Sequence, residues 1–261
     1  MSRWRPILKY FTLGLIAAVM LFPLFWMFAL GVTSVFGTLS LQNFVSIFSA
    51  DHFGRYLLNS LLVAVVVTAG NIIFCFMCGY ALARRKITCG KFWFYTVLIV
   101  LMVPVHIIII PMYIMMSRIG LYDSYGALII PWLVSPIGIF LVRQYVSTLP
   151  VSLEEAARID GAGEFRILFR IVMPLCRPAL AILAIQVFMT NWNSFLFPFI
   201  LTSSEQFRTL PVALALLLGH QAIDWHRLMA GSVIAVIPIM AVFLVFQRQI
   251  IAGITAGAFK Q

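Results

Sequence analysis

The sequence predicts an all-α, polytopic membrane protein with six transmembrane helices and one helical segment held beneath the bilayer. Three observations lead there. Of 261 residues, 63% are apolar and only 10% are charged, whereas a soluble domain carries about 45–50% and about 25%. Charge-free windows recur six times, at 10–50, 56–83, 92–117, 124–142, 178–204 and 228–247. Each reaches or nearly reaches the ~20 residues that cross a ~30 Å hydrocarbon core. Fourteen of the eighteen basic residues fall between alternate windows, on one side of the membrane. Alternating strands of about ten residues do not occur, which argues against a barrel.

The first span is expected over about 11–32. Its basic prelude and apolar run imitate a secretory signal, but the run exceeds the ~7–15 residues of a signal core, so a retained helix is expected. An uncharged outer segment with Gly37, Ser40, Gln42 and Asn43 follows. The second span, 57–83, carries Asn59, Asn71, Cys75 and Cys78. A C-x-x-C spacing inside a lipid-bound helix without a nearby His reads as packing; Cys89 and Cys176 lie on the reducing side, so no disulfide framework is expected. The third span, 92–116, has His106 between Pro104 and Pro111. A lone His without an intramembrane carboxylate is a poor proton relay and reads as a kinked packing position. Asn59 and Asn71, and Ser135-Pro136 in the fourth span (124–142), read as local satisfaction or kinks.

The loop 143–177 stands apart, with half of the chain's acids and five arginines. Leu149-Pro150 breaks the fourth helix. Ser152 three residues before Glu155 has capping-box spacing. Leu153, Ala156, Ala157 and Asp160 follow at helical spacing, and Asp160-Gly161 with Gly163 stops the helix. A second helix, about 164–172, carries Phe165, Leu168, Phe169 and Val172 on one side, and Pro174 and Pro178 turn the chain into the fifth span. Two readings fit this helix–turn–helix: a solvated loop, or a docking element for a cytoplasmic partner. In the second, Ala156 and Ala157 permit close approach, and Glu154 or Glu155 meets basic residues.

The fifth span, 179–201, places Gln186, Thr190 and Asn193 at i, i+4 and i+7, with Asn191 and Trp192 beside them. Amides for hydroxyl groups and an indole for stacking suit a neutral polyhydroxylated ligand; interhelical hydrogen bonding is the competing reading. The outer loop 202–227 holds His220 and His226, whose six-residue gap puts them on different helical faces, so no metal site is expected. The sixth span is 228–248. With six spans, both termini share the basic side, which carries the whole net charge of +10 and is cytoplasmic by the Lys/Arg rule. This surplus is a topology signal, and nucleic acid is not needed to explain it.

The string Glu155-Ala156-Ala157-Arg158-Ile159-Asp160-Gly161-Ala162, with Ile171-Val172-Met173-Pro174-Leu175, resembles the EAA signature of ABC importer permeases. The resemblance extends to their carbohydrate-uptake, maltose-permease-like branch through Thr190-Asn191-Trp192-Asn193-Ser194-Phe195, Arg208-Thr209-Leu210-Pro211 and the tail Gly253–Lys260. Met173 stands where leucine is common, and Gln261 where glycine is common. The resemblance implies a type I importer permease of the bacterial or archaeal cytoplasmic membrane. In it, 153–172 is a coupling helix seated in an ATPase subunit, with Glu154, Glu155, Ala156, Ala157, Asp160, Gly161 and Pro174 as the coupling residues. Gln186, Thr190, Asn191, Trp192 and Asn193 line the substrate route. The implied partners are a homologous second permease, two ATPase subunits and an extracytoplasmic solute-binding protein. No G-x-x-x-x-G-K-[ST] phosphate loop occurs in the chain, so ATP and Mg are expected on the ATPases and no enzyme activity is expected here. The alternative class is an ion- or proton-coupled secondary transporter or channel, which is usually built around acids within the spans; none of the eight lies there. An intramembrane enzyme fits least, because paired Asp, H-E-x-x-H and G-x-S-x-G are missing from the spans.

Overall fold

A computed structural model describes residues 4–34, 37–50, 52–218 and 223–258. Helices account for most of the described backbone: α1 (Trp4–Gly31), α2 (Gln42–Ala50), α3 (Phe53–Arg84), α4 (Gly90–Leu101), α5 (Ile109–Arg118), α6 (Tyr125–Ile129), α7 (Pro136–Thr148) and α8 (Ser152–Ile159). They continue through α9 (Glu164–Leu175), α10 (Arg177–Trp192), α11 (Leu196–Leu201), α12 (Leu210–Leu217) and α13 (Trp225–Ala258).

Among the described residues, four stretches are long and apolar enough to cross a membrane: Leu8–Gly31, Phe53–Arg84, Tyr125–Thr148 and Trp225–Gln247. Two further pairs are sharply bent. The third expected span folds by 91° between Gly90–Met102 and Val105–Arg118. Pro104 causes this, because it has no amide hydrogen to continue the ladder. The chain also bends by 78° between Glu164–Leu175 and Arg177–Trp192, ahead of Pro178. Within the fifth expected span, 179–201, helix α10 ends at Trp192 and α11 resumes separately. In the fourth, Ser135 opens α7 by accepting from the Gly138 amide at 3.2 Å, and α7 runs to Thr148 rather than stopping at 142.

The central element is α3, packed along α7 and α10. Close approach is built in at Gly79, where a Cβ would lie 2.7 Å from Val142 Cγ1 and 2.9 Å from the Arg143 amide. Without such small residues the α3–α7 backbones could not approach this closely. Around this seam Val67, Phe76, Val142, Val146, Ile167, Val172 and Leu183 form one core. Ile47, Phe53, Tyr56, Phe188, Trp192 and Leu210 form a second, where α10 and α12 meet α2 and α3.

Several intramembrane polar groups are satisfied locally. Asn59 donates to Gln206 O and Arg208 O at 2.9 and 2.8 Å and accepts from the Tyr125 hydroxyl at 2.7 Å, which ties the outer loop 202–209 to α3. Asn71 donates to Trp132 O. The His106 ring stacks on Phe197, with the ring centroids 6.4 Å apart.

Candidate functional site: a tethered cytoplasmic hook and an uncharged cavity

The loop between α7 and α10 folds back on the bundle as a hook. Its first helix, α8, begins one residue earlier than capping-box logic places it. Val151 takes a helical conformation (φ −66°, ψ −28°), and its carbonyl accepts from the amides of Glu154 and Glu155 at 2.9 and 3.1 Å. Ser152 is thus inside the first turn, no side chain caps the helix, and the expected Ser152–Glu155 box does not form. The Glu155 carboxylate is left exposed. The far end matches the sequence reading. Gly161 adopts φ +79°, Gly161 N donates to Arg158 O at 3.0 Å, and Ala162 N donates to Ala157 O at 2.9 Å. This is the paired closure that a glycine at that position permits.

Glu154 faces inward and is 2% exposed. Its two oxygens accept from the Tyr80 hydroxyl and Arg84 Nε, both at 2.8 Å, and Arg158 Nη2 lies 3.7 Å away. Arg84 also donates to Leu149 O at 2.6 Å. Glu154 is therefore the bolt that fixes the hook to α3, which removes it from the outward contact set. Ala157, 8% exposed, is likewise part of the core beneath the hook. Beside the bolt, Glu164 accepts from Arg85 and from Arg158. These two donors hold the Glu164 carboxyl below its ordinary range against a smaller opposing effect of burial.

The outward face consists of Ser152, Glu155, Ala156, Asp160 and Gly161, with Pro174 half-buried behind it. It also includes two large apolar side chains that sequence reasoning did not assign there: Ile159, 87% exposed, and Phe165, 73% exposed. Helical spacing groups Phe165 with Leu168 and Val172, which are buried. The π-helical stretch Ile167–Val172 shifts the register of α9, so the faces before and after it do not align. Ile159 carried a readable signal, because it lies one turn beyond Glu155 on the otherwise polar side of α8.

Deeper in the bundle a cavity of about 590 Å³ opens between α3, α7, α10 and the Pro104 bend; Asn71, Trp132, Ser135, Gln186, Thr190 and Asn191 are in its wall, and no charged residue is. The side chains of Gln186 and Thr190 make no hydrogen bond within the described residues. Asn191 donates to Val187 O at 2.9 Å, which leaves its carbonyl oxygen available. Two expected route residues are elsewhere. Trp192 is 2% exposed, stacks on Phe188 at 5.8 Å and donates to Ala235 O at 3.1 Å. Asn193 is exposed beyond the end of α10 and donates to Met189 O at 2.8 Å. The periodicity that put it beside Gln186 stops because the helix does. Among the described residues no His, Cys, Asp and Glu group could hold a metal; His220 lies outside them.

Membrane-crossing helices, a bolted hook at the basic end and a largely apolar cavity with a few uncharged polar groups in its wall fit a membrane permease subunit. The chain belongs to the family of binding-protein-dependent transport system inner membrane components, whose sequence profile matches residues 75–255. It is 40% identical to the arabinooligosaccharides transport system permease protein AraQ of Halalkalibacterium halodurans, over 88% of this chain and 84% of that one. It is 34% identical to the trehalose/maltose transport system permease protein MalG of Thermococcus litoralis, over 94% of both. Its fold matches a chain in the crystal structure of a bacterial ABC transporter that imports the acidic polysaccharide alginate, with a TM-score of 0.82, 24% identity, and coverage of 95% of this chain and 98% of that one.

Proposed function

We propose that this chain is the transmembrane permease subunit of an ATP-binding-cassette importer that moves a neutral saccharide into the cytoplasm. It works by alternating access with a homologous permease, two ATPase subunits carrying ATP and Mg, and an extracytoplasmic solute-binding protein. Both termini are cytoplasmic in this arrangement, on the side that holds fourteen of the eighteen basic residues.

One observation carries the reading: a single rigid helix joins the hook to the cavity. Asn71 of α3 is in the cavity wall, and Tyr80 and Arg84 of the same helix hold Glu154. Thirteen residues separate Asn71 from Arg84, about 20 Å along an α-helix. A pull on the exposed face of α8 is transmitted through the Glu154 bolt into α3 and so to the cavity wall. The docking face offers what a helix-in-groove contact uses: an apolar pair (Ile159 and Phe165), a small residue (Ala156) and two exposed carboxylates (Glu155 and Asp160). Support for a saccharide comes from the names of the two sugar-transport relatives and from Gln186, Thr190 and Asn191 facing an uncharged space. The absence of charge from the wall favours a neutral ligand, since an anion would be left unpaired there.

Glu155→Lys reverses the exposed carboxylate without touching the core. The chain is expected to insert and to keep its fold, while ATP-dependent saccharide uptake in proteoliposomes and ATPase retention in detergent are lost. Normal uptake by this variant would overturn the docking assignment.

A further inference from the structure

A second cavity, about 430 Å³, opens at the same end of the molecule as the hook. It lies between the end of α3, the start of α4 and Arg143 of α7, and its wall includes Arg85, Lys86, Lys91, Arg143, Phe94 and Tyr95. Four cations thus surround one space with no carboxylate in its wall. Only Arg85 is engaged by an acid, the Glu164 of the hook. Arg143 is held by stacking, its guanidinium carbon 3.7 Å from the Phe94 ring centroid, and its Nε is buried without a hydrogen-bond partner. Like charges crowded into one cavity repel, and an unpaired buried donor is costly. A bound anion relieves the crowding of charge.

The surroundings say which anion. Directly beside the cavity, α4 begins with Phe92, Trp93 and Tyr95, which are 63%, 54% and 59% exposed. Exposed aromatics at the end of an apolar helix mark the headgroup level of a bilayer. Beyond them Ile99 continues the exposed apolar face, a surface suited to acyl chains. A soluble anion would need only the cations; a lipid uses the cations, the aromatic girdle and the apolar face together.

We propose that this cavity binds the phosphodiester headgroup of an anionic phospholipid of the cytoplasmic leaflet, with the acyl chains along α4. Lys86, Lys91 and Arg143 supply the free charge, and Arg85 bridges the phosphate to Glu164. The lipid is thereby connected to the ion pairs that brace the hook. The site is separate from the saccharide cavity and from the docking face.

The test is native mass spectrometry of the purified full-length chain in its transporter assembly, after delipidation, with phosphatidylglycerol, phosphatidylcholine or inorganic phosphate added. Retention of phosphatidylglycerol over phosphatidylcholine is expected, with no displacement by millimolar phosphate. Lys86→Gln with Lys91→Gln should weaken retention about thirty-fold, from about fivefold for each basic residue at an anionic surface. Lys9→Gln with Arg177→Gln, two exposed charges outside the cavity, should leave it unchanged. Equal retention of the two lipids by the unaltered chain would overturn the proposal, whatever the variants do. So would equal losses in both charge-removed pairs, which would mean diffuse attraction, or displacement by phosphate, which would mean a soluble anion.

Discussion

Replacing Glu154 with alanine removes the bolt and leaves its partners behind. Arg84 is only 10% exposed at its side chain and would keep a single bond, to Leu149 O, while the Tyr80 hydroxyl would lose its acceptor. Breaking a buried ion pair by deleting one member costs about 3–5 kcal/mol. The lower end applies here, because Arg84 retains the Leu149 carbonyl and sits near the cytoplasmic surface. A loss of about 3 kcal/mol is about two orders of magnitude in the ratio of seated to loosened hook. Amide exchange over 152–159 should accelerate by up to that factor while exchange in the middle of α3 is unchanged. In the assembled transporter, ATP hydrolysis should continue with little uptake, since the motor would then move a hook no longer fixed to the permease. Glu154→Leu combined with Arg84→Met should recover much of the protection, because an apolar pair of similar volume avoids the unpaired charge. Wild-type exchange over 152–159 in Glu154→Ala would refute the bolt and with it the transmission route through α3.

The other expectations are narrower. Gly161→Ala forces a β-carbon into a left-handed conformation at a cost of about 1 kcal/mol, with open space around it; ATPase retention should weaken about fivefold in a pull-down, and Gly161→Asn should weaken it less. Gln186→Ala and Thr190→Ala should each raise the KM for saccharide uptake about tenfold, since a lost hydrogen bond to an uncharged group is worth about 1 kcal/mol or somewhat more, while ATPase retention stays at the wild-type level; loss of assembly instead would assign these groups to helix packing. Because Arg85 and Arg158 hold the Glu164 carboxyl below its ordinary value of 4.5, its bracing is fully present above that value and is lost only as pH falls through the lower folded value. Amide exchange of 164–166, corrected for intrinsic rate, should therefore be flat between about pH 6 and about pH 8 and rise in strong acid, and Glu164→Gln should show the acid level at neutral pH.

The helical membrane class and the end of the first hook helix were legible because they rest on signals that do not depend on tertiary context: long charge-free runs and the Asp160-Gly161 stop. The orientation of side chains on the hook was not legible. Glu154 and Glu155 are adjacent carboxylates in the same helix, and only the positions of Tyr80 and Arg84, some seventy residues earlier, decide which of them turns inward. Ser152 missed its capping role because Val151 extended the helix by one residue, and a preference of about 1 kcal/mol is easily overridden. The polar stripe on α10 keeps the helical period only in part. Gln186, Thr190 and Asn191 reach the cavity, but projecting the period to Asn193 assumed a helix that the structure ends at Trp192, and nothing local to Trp192 announces that Ala235 of α13 will take its indole N–H. Phe165 was misassigned for a related reason, because the π-helical stretch that follows breaks the 3.6-residue count.

The most direct test of the central claim places a photo-activatable cross-linking residue at position 159, the most exposed large apolar side chain of the hook, in the assembled transporter. Cross-linking to an ATPase subunit, lost when Glu155→Lys is added, is the result expected. An assembled, transporting complex in which position 159 cross-links to no ATPase subunit at any stage of ATP turnover would contradict it.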